Sequence, residues 1–229
     1  MQLPTVKLLS YSPTEDQILT SIYIAARGCY SDKSAIELCA ENAPKEKKIE
    51  LVKRLIKDRH RTTLTHINFS FSFDKVPIKI ATQLTRSQVG TNFDQRSTRY
   101  LAKWTKGSRA YDYGVQPIRF RTQEDGKFDI KQTNALLEKC YDLCAETYEK
   151  LRSMGVPAED ASYALNLGAY TGLVASFNII SFKHWINTRL LNSTGKAQNE
   201  HQELAQIAIN EFKLHYPNLY TIIFADLIK

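Results

Sequence analysis

Apolar residues recur every three to four positions over most of this chain and every second position in one stretch. Ile18, Leu19, Ile22, Tyr23 and Ala26 share one helical face, and the helix they predict stops near Gly28. Ser12-Pro13-Thr14-Glu15 precedes them. Ser12 is the expected cap, Pro13 suits a first helical position and Glu15 fits a capping box. Residues 5–10 alternate loosely and predict a first strand. Pro44 opens a second helix striped with Leu51, Val52, Leu55 and Ile56. Residues 60–66 interrupt it with polar and β-branched side chains. Ile67-Asn68-Phe69-Ser70-Phe71-Ser72-Phe73 then alternates cleanly, which predicts a strand with one buried aromatic face. Residues 74–77 read as a turn. Pro77 starts a short helix reaching about Leu84, with Ile78, Ile80 and Leu84 inward.

The second half continues in the same mixture. Residues 133–154 predict a long amphipathic helix ended by Gly155 and Pro157, and 158–165 a short one. Residues 170–177 are apolar enough for a buried strand. Helices follow over 179–191 and 198–215, the last stopped by Pro217. No repeat or linker divides the chain, so the expectation is one α+β domain over residues 1–229, an antiparallel-rich sheet packed with long helices.

Between these elements, residues 83–100 stand out. Arg86, Arg96 and Arg99 lie among serines, threonines and amides, with almost nothing apolar. Such a density of fixed donors suits anionic oxygens and ring carbonyls. The segment is expected to leave a helix and run on as irregular backbone. Residues 101–130, aromatic and basic, read as a lid or an excursion from the sheet.

Composition narrows the partners. The formal charge is +7, and its lysines and arginines are spread along the chain, which argues for a small anionic ligand over nucleic acid. Cys29, Cys39, Cys140 and Cys144 form no metal-binding spacing, and are expected to be buried small hydrophobes in a reduced compartment. The N-terminal residues lack a long apolar stretch, no run is long enough to span a bilayer, and a cytoplasmic location is expected.

The elements and motifs, in this order, resemble the flavin-dependent thymidylate synthases, the ThyX family. His60-Arg61-Thr62-Thr63-Leu64-Thr65-His66 stands where the family has H-x-T/S-x-x-E-H. Gln83-Leu84-Thr85-Arg86-Ser87-Gln88, then Ser97-Thr98-Arg99-Tyr100, is similar to Q-x-x-R-H-R followed by S-x-R-Y. Asn178-Ile179-Ile180-Ser181-Phe182 and Arg189 match N-x-R-S-L and a following arginine, and Ala197-Gln198-Asn199-Glu200 matches A-Q-x-E. The chain departs from these patterns at Thr65, Ser87, Gln88 and Ile180, and at Ser162, where spacing places a further family arginine.

The resemblance implies reductive methylation of dUMP to dTMP, with methylenetetrahydrofolate as carbon donor and NADPH supplying electrons through FAD, or a close variant on another pyrimidine nucleotide. It implies a homotetramer with sites between subunits. Gln83, Ser97 and Arg99 are implied at the nucleotide phosphate, and Arg189 at the pyrimidine edge. Arg86 meets either the uracil edge or the flavin pyrophosphate. Arg189 and Ser97 are the expected catalytic residues. His60, Thr62, Arg86, Ser87, Gln88 and Asn178 are the expected flavin contacts. The bland alternative for Arg189 is a helix-end arginine set against the macrodipole. The alternative for the whole chain is a ThyX-fold paralogue without flavin chemistry, serving as a nucleotide-binding or partner subunit.

Overall fold

The computed structural model describes residues 4–87, 89–97, 129–195 and 197–225. Four strands form one sheet: β1 (Thr5–Leu8), β2 (Asn68–Pro77), β3 (Thr91–Gln95) and β4 (Tyr170–Asn178), in the order β1-β2-β4-β3 and antiparallel at every pairing. Nine α-helices are described, and five of them frame the sheet: α1 (Glu15–Arg27), α3 (Lys45–Lys57), α7 (Ile179–Leu190), α8 (Asn199–His215) and α9 (Pro217–Ile223). The others are α2 (Ala35–Ala40), α4 (Ile78–Leu84), α5 (Ile130–Ser153) and α6 (Ala158–Ala161). The expected antiparallel α+β architecture is present.

The period-two alternation of β2 explains where the core lies. Phe69, Phe71 and Phe73 all point to one face, and Phe177 of β4 joins them opposite Phe69. Phe182 of α7 lies within aromatic contact of Phe69, Phe71 and Phe177, and stacks on Phe212 of α8 at 5.0 Å between centroids. Trp185, one turn further along α7, stacks on Phe177 at 5.6 Å. On the other face Ser70 and Ser176 share a hydroxyl hydrogen bond of 2.6 Å, as expected of a sheet apolar on one side and polar on the other.

Several local expectations are corrected. Residues 74–77 do not turn; β2 runs on to Pro77 through a bulge. The register moves from Phe73↔Leu173 to Val76↔Thr171, so β2 gains one residue on β4. Lys75 supplies it at φ +57°, and the changed parity keeps Val76 on the buried face. The segment after α4 is not wholly irregular, because Thr91–Gln95 form the edge strand β3, anchored by Phe93 against Phe177 at 6.0 Å. Gly90 makes the turn into it at φ +69°; a Cβ there would stand 2.1 Å from the Asn178 amide nitrogen. The cysteines are not buried: Cys29, Cys39 and Cys140 are exposed and Cys144 is half-buried, all four as free thiols. Cys140 is exposed and Cys144 only half-buried because α5 stands off the core, with Tyr148 its one buried side chain among those described. The predicted 101–130 excursion lies outside the described residues up to 128.

The capping expectation was also displaced. Thr14, not Ser12, caps α1, in a capping box with Gln17. Ser12 instead accepts from the Ser70 N–H at 3.0 Å. Glu15 is freed for another task. Its carboxylate accepts from the Asn218 N–H at 2.7 Å, the Leu219 N–H at 2.9 Å and the Asn218 amide at 2.7 Å, so it caps α9 from the start of α1. Glu15→Gln removes the charge from those N–H groups and turns an NH2 toward the Asn218 amide. The expected loss is about 1.5 kcal/mol of stability, read as a lower urea midpoint at unchanged slope.

Candidate functional site

Gln83, Arg86 and Arg189 come together where the end of α4 meets the last turn of α7 and the first turn of α8. The cluster is built on a buried relay of hydrogen bonds. Trp185 Nε1–H donates to His201 Nε2 at 3.0 Å, and His201 Nδ1 lies 3.2 Å from Gln83 Oε1. Gln83 Nε2 donates in turn to Gln198 Oε1 at 3.1 Å. The indole is a donor only, so Nε2 of His201 must accept and Nδ1 must carry the proton. That assignment makes Gln83 Oε1 the acceptor and turns its NH2 outward, with one N–H beyond the bond to Gln198. His201 is fully enclosed, at 0% exposure. Burial, reinforced by the positive field of Arg189, lowers its pKa to about 3, so the imidazole is neutral at physiological pH.

Arg189 presents the opposite situation. Its Nε is buried and has no hydrogen-bond partner among the described residues. Burial and then the nearby Arg86 lower its pKa from the ordinary guanidinium value. Among the described residues neither arginine forms an ion pair. Two guanidinium groups close enough to repel, with no ion pair to either among the described residues, leave an electrostatic need for an anion or a strong acceptor. Arg189 also makes no hydrogen bond to the closing carbonyls of α7 among the described residues. Together with the outward N–H of Gln83, the cluster offers donors only. It suits carbonyl oxygens and anionic oxygens of a polar heterocycle.

The other expected site residues fall elsewhere. Asn178 is the N-cap of α7; its Oδ1 accepts from the Ser181 N–H at 2.9 Å and its own N–H donates to Gly90 at 3.2 Å. Its amide oxygen is therefore engaged by the fold. Ser87 closes the turn after α4, donating its N–H to Leu84 at 3.0 Å while its carbonyl takes the Thr91 hydroxyl. Ser97 is exposed and lies beyond the far end of β3 from Ser87, a strand of about 16 Å away. Arg96 beside it pairs with Asp74 at 3.6 Å. Gln88 and Arg99 lie outside the described residues.

His60 and Thr62 line a cleft of about 540 Å³ between the ends of α1 and α3, with Tyr30, Leu51, Arg54 and Leu55. A second cleft, of about 310 Å³, lies on the other side of the same turn. Its floor is apolar, including Leu55, Leu64, Ile179 and Ile180, and Arg59, Arg61 and Lys183 stand around it. Ile180, at a family arginine position, thus contributes hydrocarbon to that floor. No group of three or more metal-ligating side chains occurs among the described residues.

Neither His201 nor Trp185 was among the residues expected at the site from sequence. One signal was available. His201 begins the inward stripe of α8 that continues through Leu204, Ala205, Ala208 and Phe212, so an imidazole occupies an apolar position. A polar group there needs a partner.

The chain resembles known proteins in sequence and in fold. Curated flavin-dependent thymidylate synthases align over most of the chain. The one from Streptomyces avermitilis is 23% identical over 226 residues, covering 96% of this chain and 89% of that enzyme. The one from Clostridium tetani is 26% identical over 224 residues, covering 94% and 84%. Among solved structures, a UMP/dUMP methylase, PolB, from Streptomyces cacaoi bound with 5-Br dUMP superposes with a TM-score of 0.74. The two chains are 19% identical, and 98% of this one and 96% of that one are covered, a likeness of fold. Residues 7–218 match the family described as thymidylate synthase complementing protein. The chain belongs to that family, as a divergent member of the flavin-dependent thymidylate synthases.

Proposed function

We propose that the protein catalyses the reductive methylation of a uracil nucleotide, dUMP to dTMP or a close variant on another pyrimidine nucleotide, with methylenetetrahydrofolate as carbon donor and NADPH as reductant through FAD. The observation that carries this reading is the unsatisfied Arg189, set against Arg86 and beside the oriented amide of Gln83. Its relatives are named flavin-dependent thymidylate synthases, and its structural neighbour is a UMP/dUMP methylase bound with a brominated dUMP. Arg189 faces the carbonyl on which negative charge grows as the ring is reduced, and holds that charge by electrostatic preorganisation. Arg86 and the remaining N–H of Gln83 orient the same edge, which moves Gln83 from the phosphate expected from sequence to the base. Ser97 and Arg99 take the phosphate, where an arginine fork matches a dianion.

Bound flavin supplies the two-electron chemistry. The two clefts either side of residues 59–62 fit such a group, since both offer apolar surface for flat rings and the smaller one carries cations for a diphosphate. The protein assembles as a homotetramer in the cytoplasm, with Ser97 and Arg99 completing a neighbour's site. The exposed leucines of α5 support assembly: Leu136 and Leu143, at 72% and 64% exposure, are spaced two turns apart on the face that also carries Cys140.

The test is a titration of the purified protein with FAD, alone and with dUMP, followed by NADPH. A flavin spectrum that bleaches with NADPH, and dTMP formed once methylenetetrahydrofolate is added, is the expected result. A paralogue without flavin chemistry, favoured by the engagement of Asn178 in the α7 cap, instead binds dUMP and shows no flavin under any condition.

A further inference from the structure

Residues 59–62 form a ridge whose side chains part alternately to its two sides. Arg59 and Arg61 line the smaller cleft; His60 and Thr62 line the larger one, and Leu55 borders both. A molecule seated in both clefts must cross this ridge.

The charges gathered around the smaller cleft are all positive. On the neighbouring helix α3, Lys45 pairs with Glu15 at 3.4 Å, Lys48 with Asp16 at 3.2 Å and Arg54 with Asp58 at 3.5 Å. Arg59, Arg61 and Lys183 have none among the described residues, and no carboxylate lines the smaller cleft. Three unpaired cations around an apolar floor repel one another until an anion arrives.

Arg59 also occupies a backbone position that disfavours it. The C-terminus of α3 closes with the His60 N–H bonded to the Leu55 carbonyl at 2.8 Å, the Schellman arrangement. Its left-handed residue is Arg59, at φ +60°. Glycine is the residue this turn prefers, and an arginine there is strained. Strain of this kind points to a side chain kept for what it contacts.

We propose that Arg59, Arg61 and Lys183 bind the diphosphate of a dinucleotide cofactor where it crosses the ridge, with one ring system in each cleft. Resting on the flavin reading above, the proposal makes FAD the occupant. The guanidinium forks of Arg59 and Arg61 meet the diphosphate oxygens and Lys183 adds a point charge from α7.

Arg59→Gly separates binding from folding, because it removes the charge and relieves the turn together. It is combined with Lys183→Gln and compared with wild type and with Lys139→Gln on α5 as a control. The probes are FAD, riboflavin, ADP and inorganic pyrophosphate, followed by flavin fluorescence and calorimetry across a salt series. The double variant is expected to weaken FAD about 30-fold, at roughly a factor of five per charge, and to flatten its salt dependence. Riboflavin, which lacks the diphosphate, binds as before, and the melting temperature is equal to or above that of wild type. FAD affinity within threefold of wild type overturns the proposal. If ADP and pyrophosphate bind the double variant unchanged while FAD binds wild type, the ridge assignment falls and the flavin reading stands. If wild type takes ADP and pyrophosphate through these residues but takes neither flavin, the ridge stands and the flavin reading falls. If wild type binds none of the four, both fall.

Discussion

Arg189→Ala is expected to lower kcat on the order of 100-fold while leaving the protein folded. The guanidinium lies half-buried, with its Nε unpartnered and Arg86 nearby, so in the ligand-free protein it is under electrostatic strain rather than at rest. Deleting it removes that strain along with the packing of the hydrocarbon stem, and the two changes oppose each other. Stability should therefore stay within about 1 kcal/mol of wild type. Catalysis has no such compensation. Loss of one preorganised donor at a developing oxyanion raises the barrier by about 3 kcal/mol, roughly 100-fold in rate. Arg189→Lys keeps a cation but loses the planar fork, and should recover only part of the rate. The helix-end reading of Arg189 differs in the kinetics: it predicts up to about 1 kcal/mol less stability with turnover intact. Steady-state kinetics separate the two, and a urea titration on the same preparations checks that the variant is folded. Arg86→Ala gives a further check, since removing the neighbouring charge should return the Arg189 pKa toward its ordinary value.

What could be read along the chain was whatever local spacing encodes. The Phe69/Phe71/Phe73 alternation located β2 and its buried face, and the apolar run of β4 located the strand that became its central partner. What lay outside local spacing was missed. The bulge at Lys75 was hidden because a polar Asp-Lys pair before a proline resembles a turn, and only pairing with β4 shows that the strand continues. Helix α9 was overlooked because Pro217 reads as a terminator of α8, whereas it is also the first residue of the next helix. Helix α2 carries a legible signal, the Ser34/Glu37 capping box, but buries only Leu38 and so lacks an apolar stripe. The site divides in the same way. Gln83, Arg86 and Arg189 could be picked out as donors by residue type. The relay that aims Gln83 could not, because His201 is 118 residues from it in sequence and meets it only through the packing of α8 on α7.

That relay gives the chain a distinctive response to acid. Stability should fall by about 2 kcal/mol between pH 7 and pH 5, a window in which ordinary carboxylates hardly titrate. The unfolded chain protonates His201 near the ordinary histidine pKa of 6.5, whereas the folded chain resists until about pH 3. Between those values the unfolded state binds the extra proton, so acid favours unfolding. The contribution is fully present above pH 6.5 and continues to be lost as pH falls to about 3. The physical cause is enclosure without a carboxylate partner: the groups identified around the ring are the Trp185 indole, which donates to it, the Gln83 amide oxygen, which accepts from it, and the positive charge of Arg189. A proton on Nε2 would face the indole N–H and bring a second cation toward Arg189. His201→Gln keeps an acceptor for Trp185 and a donor for Gln83 but cannot take the proton. Its urea midpoint should be nearly flat from pH 7 to pH 5, where wild type slopes, and an equal slope in both proteins would refute the assignment. Affinity for deoxyuridine, which carries no titrating phosphate, should show no matching loss in wild type over the same window, because the folded imidazole remains neutral there and Gln83 keeps its orientation. A protein whose stability titrates while its ligand affinity does not is the signature of a histidine that holds the site together by staying uncharged.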